Sequence, residues 1–194
     1  MPRDPHIART RLRDAALQLF AEAGFDQTTV AQIAARAGVT ERTFFRHFSD
    51  KREVLFDGQD NLGKALSAAI AKAPPDLPPL AVLHRAFGAL SQTFEDNRRY
   101  SEPRARIIAQ NPTLQEREAA KHAALTAGMA EALHRRGLDR PRADLAAQTA
   151  MAALAYAFAL WLDQPAPGLG SYLDRAFSEL GKLATAAPSA PASQ

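Results

Sequence analysis

Glu41, Arg42, Thr43, Phe45, Arg46 and His47 fall within seven consecutive positions, directly after Thr40. At helical spacing Phe44 and Phe48 turn to one side, and carboxylate, guanidinium, hydroxyl and imidazole groups turn to the other. Such a face can meet a DNA groove, where base edges and phosphates offer donors and acceptors. Other chemistry lacks its residues. There is no cysteine, which excludes disulfides, thiolate zinc sites, iron–sulfur clusters and cysteine nucleophiles. The histidines, His6, His47, His84, His122 and His134, are scattered, and none has a partner at i+4 for a metal. No glycine-rich phosphate loop, nucleophile elbow or cofactor fingerprint appears. The expectation is a protein that is not an enzyme and carries no metal and no cofactor.

The charged face needs elements to hold it. Thr29-Val30-Ala31-Gln32 has the capping-box pattern and opens a short helix running to Ala37. Gly38 supplies the left-handed backbone of a turn, and Thr40 caps a second short helix from Glu41 to His47. Helix, glycine-containing turn, helix is the helix-turn-helix arrangement. Ala34 is small enough for the two helices to approach, and Ile33, Val39, Phe44 and Phe48 can fill the core between them. Upstream, Leu12, Ala16, Leu19, Phe20 and Ala23 mark a first helix that stops at Gly24.

Apolar spacing is helical along the rest of the chain, and 42 of 194 residues are alanine. A fourth helix is expected from Lys51 to Ile70, capped by Ser49 or Asp50, before the linker at Pro74 to Pro79. A fifth carries Leu80, Leu83, Phe87, Leu90 and Phe94. A short one follows from Glu102 to Gln110, then one capped by Thr113 and ending near Arg136. An alanine-rich helix opens at Asp139 and Pro141, and a last helix spans Ser171 to Leu183. The fold class is all-α with about nine helices and no strand-period segment. The expected division is a DNA-binding domain over 1–50, a connecting helix over 51–73, a ligand-binding and dimerisation domain over 74–184, and a disordered tail over 185–194. Leu145 to Leu162 is an uncharged run of borderline length for a membrane span. It has neither basic clusters nor aromatic belts at its ends, so it is expected to be a buried helix without a membrane role. With no signal peptide visible behind Met1, the expected location is the cytoplasm. The 24 Lys+Arg against 21 Asp+Glu leave a net charge of +3. Bulk attraction to nucleic acid is therefore weak, and any DNA binding must rest on placed side chains.

Thr29 to Leu55 closely resembles the DNA-binding domain of the tetracycline-repressor (TetR) family, a likeness that begins at Leu12. The Ala-Gly-Val turn, Thr43, the aromatic at Phe45, Phe48, Lys51 and Leu55 match by kind and spacing. A tyrosine is more usual at Phe45, so a hydroxyl bond to phosphate is missing there. The resemblance implies roles for single residues. Thr29 would set its hydroxyl and a helix N-terminus at a phosphate, and Thr40 would be among the DNA-binding residues. Thr43, His47 and Lys51 would make further backbone contacts. Arg42 would donate two bonds to a guanine edge, Glu41 would accept from cytosine, and Arg46 would reach phosphate or base.

The same resemblance implies a homodimer on a palindromic operator in double-stranded DNA. The dimer interface would involve Ala152, Ala153, Tyr156, Ala157, Leu160, Leu173, Phe177 and Leu180 on the last two helices. It also implies a small-molecule effector whose binding moves the fourth helix. The pocket candidates are Phe87, Leu90, Phe94, Ile107, Ile108, Leu125, Met129, Tyr156 and Trp161, and the lack of a dense charged cluster points to an apolar effector. Arg104 to Ile108, with Pro112, Leu114, Arg117 and Lys121, looks like the branch with an acyl-CoA-like ligand-binding domain. The leading function is a ligand-responsive repressor. An activator, a DNA binder without effector, and a protein–protein adaptor that has lost DNA reading are the alternatives.

Overall fold

The computed structural model describes residues 5–185. Among these residues the chain forms nine α-helices, one 3-10 turn and no strand. The helices are α1 Pro5–Ala23, α2 Val30–Arg36, α3 Glu41–His47, α4 Gln59–Lys72, α5 Pro79–Asp96, α6 Arg98–Ala109, α7 Pro112–Arg135, α8 Arg140–Asp163 and α9 Leu169–Thr185. The 3-10 turn is Glu53–Phe56. Beyond Thr185, the tail expected at 185–194 lies outside the described residues.

Two compact units divide the chain. The first takes residues up to Leu62 together with Asn97–His122, and the second takes Gly63–Asp96 with the residues from Ala123 onward. Compactness thus groups α6 and the start of α7 with the N-terminal helices. The reason is a shared core. Leu12, Ala16, Phe20, Ile33, Phe44 and Leu55 are buried with Tyr100, Ile107, Ile108 and Leu114 in one cluster. Tyr100 donates its hydroxyl hydrogen to the Val54 carbonyl at 2.7 Å, and burial raises its pKa well above the ordinary value. Arg104 donates to the Leu55 carbonyl at 2.5 Å and pairs with Glu118 at 2.9 Å.

In the second unit α8 packs on α9, and α5 packs on both. Small residues let α8 approach its neighbours: Ala143, Ala147, Ala150, Ala153 and Ala157 are buried along one side, ending at Trp161. Among the described helices α8 alone is long and apolar enough to cross a membrane, yet its alanine side is covered by protein. Asp139 caps it by accepting from the Arg142 amide at 3.1 Å, with Pro141 in the first turn as expected. Arg136 closes the end of α4 by donating to the carbonyls of Ile70, Ala73 and Pro74 at 3.1, 2.8 and 2.6 Å. These are carbonyls that a helix end leaves without partners.

Three expected boundaries are corrected. The fourth helix does not run from Lys51. Asp50 accepts from the Arg52 and Glu53 amides at 2.7 and 3.1 Å, which winds a 3-10 turn. Gly58, at φ +85°, then breaks the chain before α4 starts at Gln59. The short helix before Asn111 begins at Arg98, and Pro103 lies inside it. The proline removes the amide that would bond the Arg99 carbonyl, a residue exposed to water, so the loss is tolerated. Asn111, not Thr113, caps α7, its side chain accepting from the Leu114 amide at 3.3 Å.

Candidate nucleic-acid interface

The helix-turn-helix forms as its local signals dictate. Thr29 accepts from the Gln32 amide at 3.2 Å while the Gln32 side chain accepts from the Thr29 amide at 2.8 Å, the reciprocal capping box. Thr40 accepts from the Thr43 amide at 3.2 Å at the start of α3. Gly38 sits at φ +67°, and a Cβ there would lie 2.6 Å from an Arg11 guanidinium nitrogen. The positive φ favours glycine in the turn, and the Arg11 side chain end would have to move aside for a Cβ. Ile33, Ala34, Phe44 and Phe48 are buried between α2, α3 and α1.

What these elements hold outward is a mixed face. Glu41, Arg42, Phe45 and Arg46 are exposed, and Thr43 is half-buried. Among the described residues no carboxylate pairs with Arg42 or Arg46, so both guanidiniums keep their donors. Arg36 differs, because it is held by Glu22 of α1 at 2.9 Å. The Thr29 and Thr40 hydroxyls are engaged in capping, and Thr43 shares its hydroxyl with Thr40 at 3.1 Å.

Two of the predicted site residues have surroundings that the sequence did not reveal. Lys51 points its ammonium at the loop between α1 and α2, donating to the carbonyls of Phe25, Asp26 and Thr28 at 2.7, 3.1 and 2.9 Å. It also lies 4.4 Å from the Phe25 ring centroid. All three ammonium protons are used there. His47 is half-buried, and its Nε2 is enclosed without a hydrogen-bond partner among the described residues. It borders a cleft of about 580 Å³ that Arg9, Arg13, Phe48, Asp57 and Lys121 also line. Charges around the cleft are matched. Arg9 grips Asp57 through Nε at 2.9 Å and Nη2 at 2.6 Å, Lys121 lies 3.8 Å from Asp60, and Arg117 pairs with Glu53.

Burial lowers the His47 pKa from its ordinary value, the Arg46 and Arg9 charges add to that, and Asp57 opposes it. The folded state therefore binds the proton more weakly than the unfolded chain does. His47 contributes stability that is complete above an unfolded pKa of about 6.5 and is lost as pH falls through the lower folded value. Urea midpoints at pH 7.5 and pH 5.5 should differ less for His47→Gln than for the unsubstituted chain. An equal difference in both would remove His47 as the cause.

The remaining candidates separate by unit. Ile107 and Ile108 are core of the first unit, 7 % and 1 % exposed. Phe87, Leu90, Phe94, Leu125, Met129, Tyr156 and Trp161 belong to the second. There Phe94 meets Phe158 edge-on at 5.6 Å, and Phe158 meets Trp161 at 5.2 Å. Tyr156 points outward, 57 % exposed. Of the interface candidates, Ala153, Ala157 and Leu173 are buried within their own unit, Ala152 and Tyr156 are exposed, and Leu160 and Leu180 are half-buried. Phe177 is half-buried and stacks on the His84 ring at 4.7 Å. Sequence reasoning missed the Arg9–Asp57 and Arg136 contacts, whose partners lie 48 and more than 60 residues away.

Comparison with known proteins agrees with this architecture. Residues 12–57 match the family model described as bacterial regulatory proteins, tetR family, and residues 77–184 match the MftR C-terminal domain. Among curated proteins, the transcriptional regulator TcmR of Streptomyces glaucescens is 35% identical over 102 residues, 49% of this chain and 45% of TcmR. The match thus spans about half the length of such relatives. A TetR-family regulator from Syntrophomonas wolfei superposes with a TM-score of 0.69 at 17% identity, covering 96% of this chain and 100% of the other. Thermus thermophilus FadR, a TetR-family repressor solved with lauroyl-CoA, gives 0.57 at 23% identity over 96% and 99%.

Proposed function

This chain belongs to the TetR family of helix-turn-helix transcriptional regulators, and from that premise we propose that it is a cytoplasmic repressor that binds a palindromic operator as a homodimer and is released by a small, largely apolar effector. The observation that carries the DNA-binding role is the outward face of α3. Arg42 and Arg46 project from it without acidic partners among the described residues, on a helix fixed by Thr40 and by buried Phe44. Arg42 and Glu41 occupy the first turn, where base edges are read, while the capped starts of α2 and α3, with Thr29, Thr40 and Thr43, approach phosphates. A dimer sets two such helices about one turn of DNA apart, roughly 34–36 Å.

Gel-shift titration on the DNA upstream of its own gene tests this reading. Arg42→Ala should cost about 1–3 kcal/mol against the preferred base pair and relax selection at that position, with stability unchanged because the side chain is exposed. Binding that is indifferent both to sequence and to Arg42→Ala would defeat it.

The effector is proposed to be acyl-CoA-like, on the strength of the lauroyl-CoA bound to the similarly folded FadR. It would occupy the second unit, among Phe87, Leu90, Phe94, Leu125, Met129 and Trp161, and must prefer the form that does not bind DNA. A saturating ligand at a hundred times its Kd adds about 2.7 kcal/mol of stability. Acyl-CoAs of graded chain length should therefore raise the melting temperature and release bound DNA. No shift with any of them would exclude this effector class.

A further inference from the structure

Phe45 is the one group on the outward face of α3 that the hydrogen-bonding description leaves unused. Its ring is 55 % exposed, and helical spacing puts it beside Arg42 and Glu41, three and four residues earlier. It has no donor or acceptor, so it can bond neither a phosphate nor the polar edge of a base. Its direction is set from beneath. The ring meets Phe44 edge-on, with centroids 5.5 Å apart and planes at 84°, and Phe44 is fully buried. An exposed apolar ring whose direction is set in this way can cover an apolar group brought against it. In the major groove of B-DNA the base edges offer one such group, the 5-methyl of thymine. Insertion of the ring between base steps belongs to minor-groove wedges, whereas the second helix of a helix-turn-helix lies in the major groove.

We propose that Phe45 reads a thymine 5-methyl group in each half of the DNA site and thereby sets a base preference next to that read by Arg42. This rests on the DNA-binding role proposed above. The test uses the full chain and a duplex it selects from a random pool. Each dT of that duplex is replaced in turn by dU, which removes the methyl and leaves every hydrogen-bonding atom in place. For the unsubstituted protein, dU at one position per half-site should weaken binding roughly fourfold, the size expected for one buried methyl group. For Phe45→Ala that penalty should vanish, with the ratio of affinities for dT and dU near one. Thermal melting should be unchanged, since the side chain is exposed. Phe45→Leu, which keeps an apolar side chain on the same face, should retain part of the penalty. Two results would overturn the proposal: no dT position sensitive to dU, or an undiminished penalty in Phe45→Ala. A protein that selects no DNA at all would overturn the DNA-binding reading and this inference with it.

Discussion

Lys51→Met is expected to destabilise the N-terminal unit by about 2–3 kcal/mol while leaving the salt dependence of DNA binding nearly unchanged. The ammonium group serves three carbonyls of one loop, those of Phe25, Asp26 and Thr28. Hydrogen bonds from a charged donor are worth more than neutral ones, and removing the donor strands several acceptors at once. Methionine keeps an apolar stem beside the Phe25 ring but supplies no donor. The loop carries Thr28, whose hydroxyl donates to the Gly24 carbonyl at 2.8 Å, and leads directly into the Thr29 cap. Loosening it therefore loosens the start of α2. The alternative role, neutralising a phosphate, predicts the opposite pattern. Stability would hold, and the slope of log affinity against log salt would fall by about one. Urea denaturation together with binding at several salt concentrations separates the two. Unaltered stability with a reduced salt slope would show that Lys51 serves DNA first.

The helix-turn-helix was legible because its signals are local. The capping box at Thr29 and Gln32, the Thr40 cap and Gly38 act within three or four residues, and each has the geometry that its sequence demands. The state of each cation was not legible, because it depends on distant partners. Lys51 binds carbonyls more than 20 residues earlier, and Arg136 finds its carbonyls more than 60 residues earlier. In the sequence each is a single basic residue, as the unpaired Arg42 is. The small net charge gains meaning from this distinction, since several positive groups hold loops and helix ends while a few remain for a ligand. The break before α4 was also hidden. A sequence window sees helical spacing across Lys51 to Ile70, whereas the Asp50 side chain takes two amides and winds a tighter turn. On α8 the difficulty was different. Alanine covers most of its circumference, so periodicity could not tell the inner side from the outer. The fold turns Ala153 and Ala157 inward and leaves Ala152 and Tyr156 outward.

That outer side supports the second large effect: Tyr156→Glu should separate the proposed dimer into folded monomers and reduce operator affinity by roughly 10²- to 10⁴-fold. Leu145 is 66 % exposed and Tyr156 57 %, with Ala152 between them and Ala159 beyond. Their spacing places them along one side of α8, opposite the alanines buried against α9 and α5. Large apolar groups aligned with small ones let two such helices approach closely about a two-fold axis, where each patch meets its own copy. A glutamate at Tyr156 would face its own image across that axis, so two like charges would lose water together. The monomer is spared, because the side chain makes no part of its core. The DNA effect follows from linkage of two half-sites. In the dimer the second recognition helix binds at a high effective concentration, and in the monomer that advantage is gone. Light scattering at micromolar concentration should report a dimer for the unsubstituted chain and a monomer for Tyr156→Glu, with circular dichroism unchanged. Ala153→Glu gives the contrast, since Ala153 is 5 % exposed within its own unit and a charge there should unfold the unit outright. A dimer that persists in Tyr156→Glu would move the interface away from this side of α8.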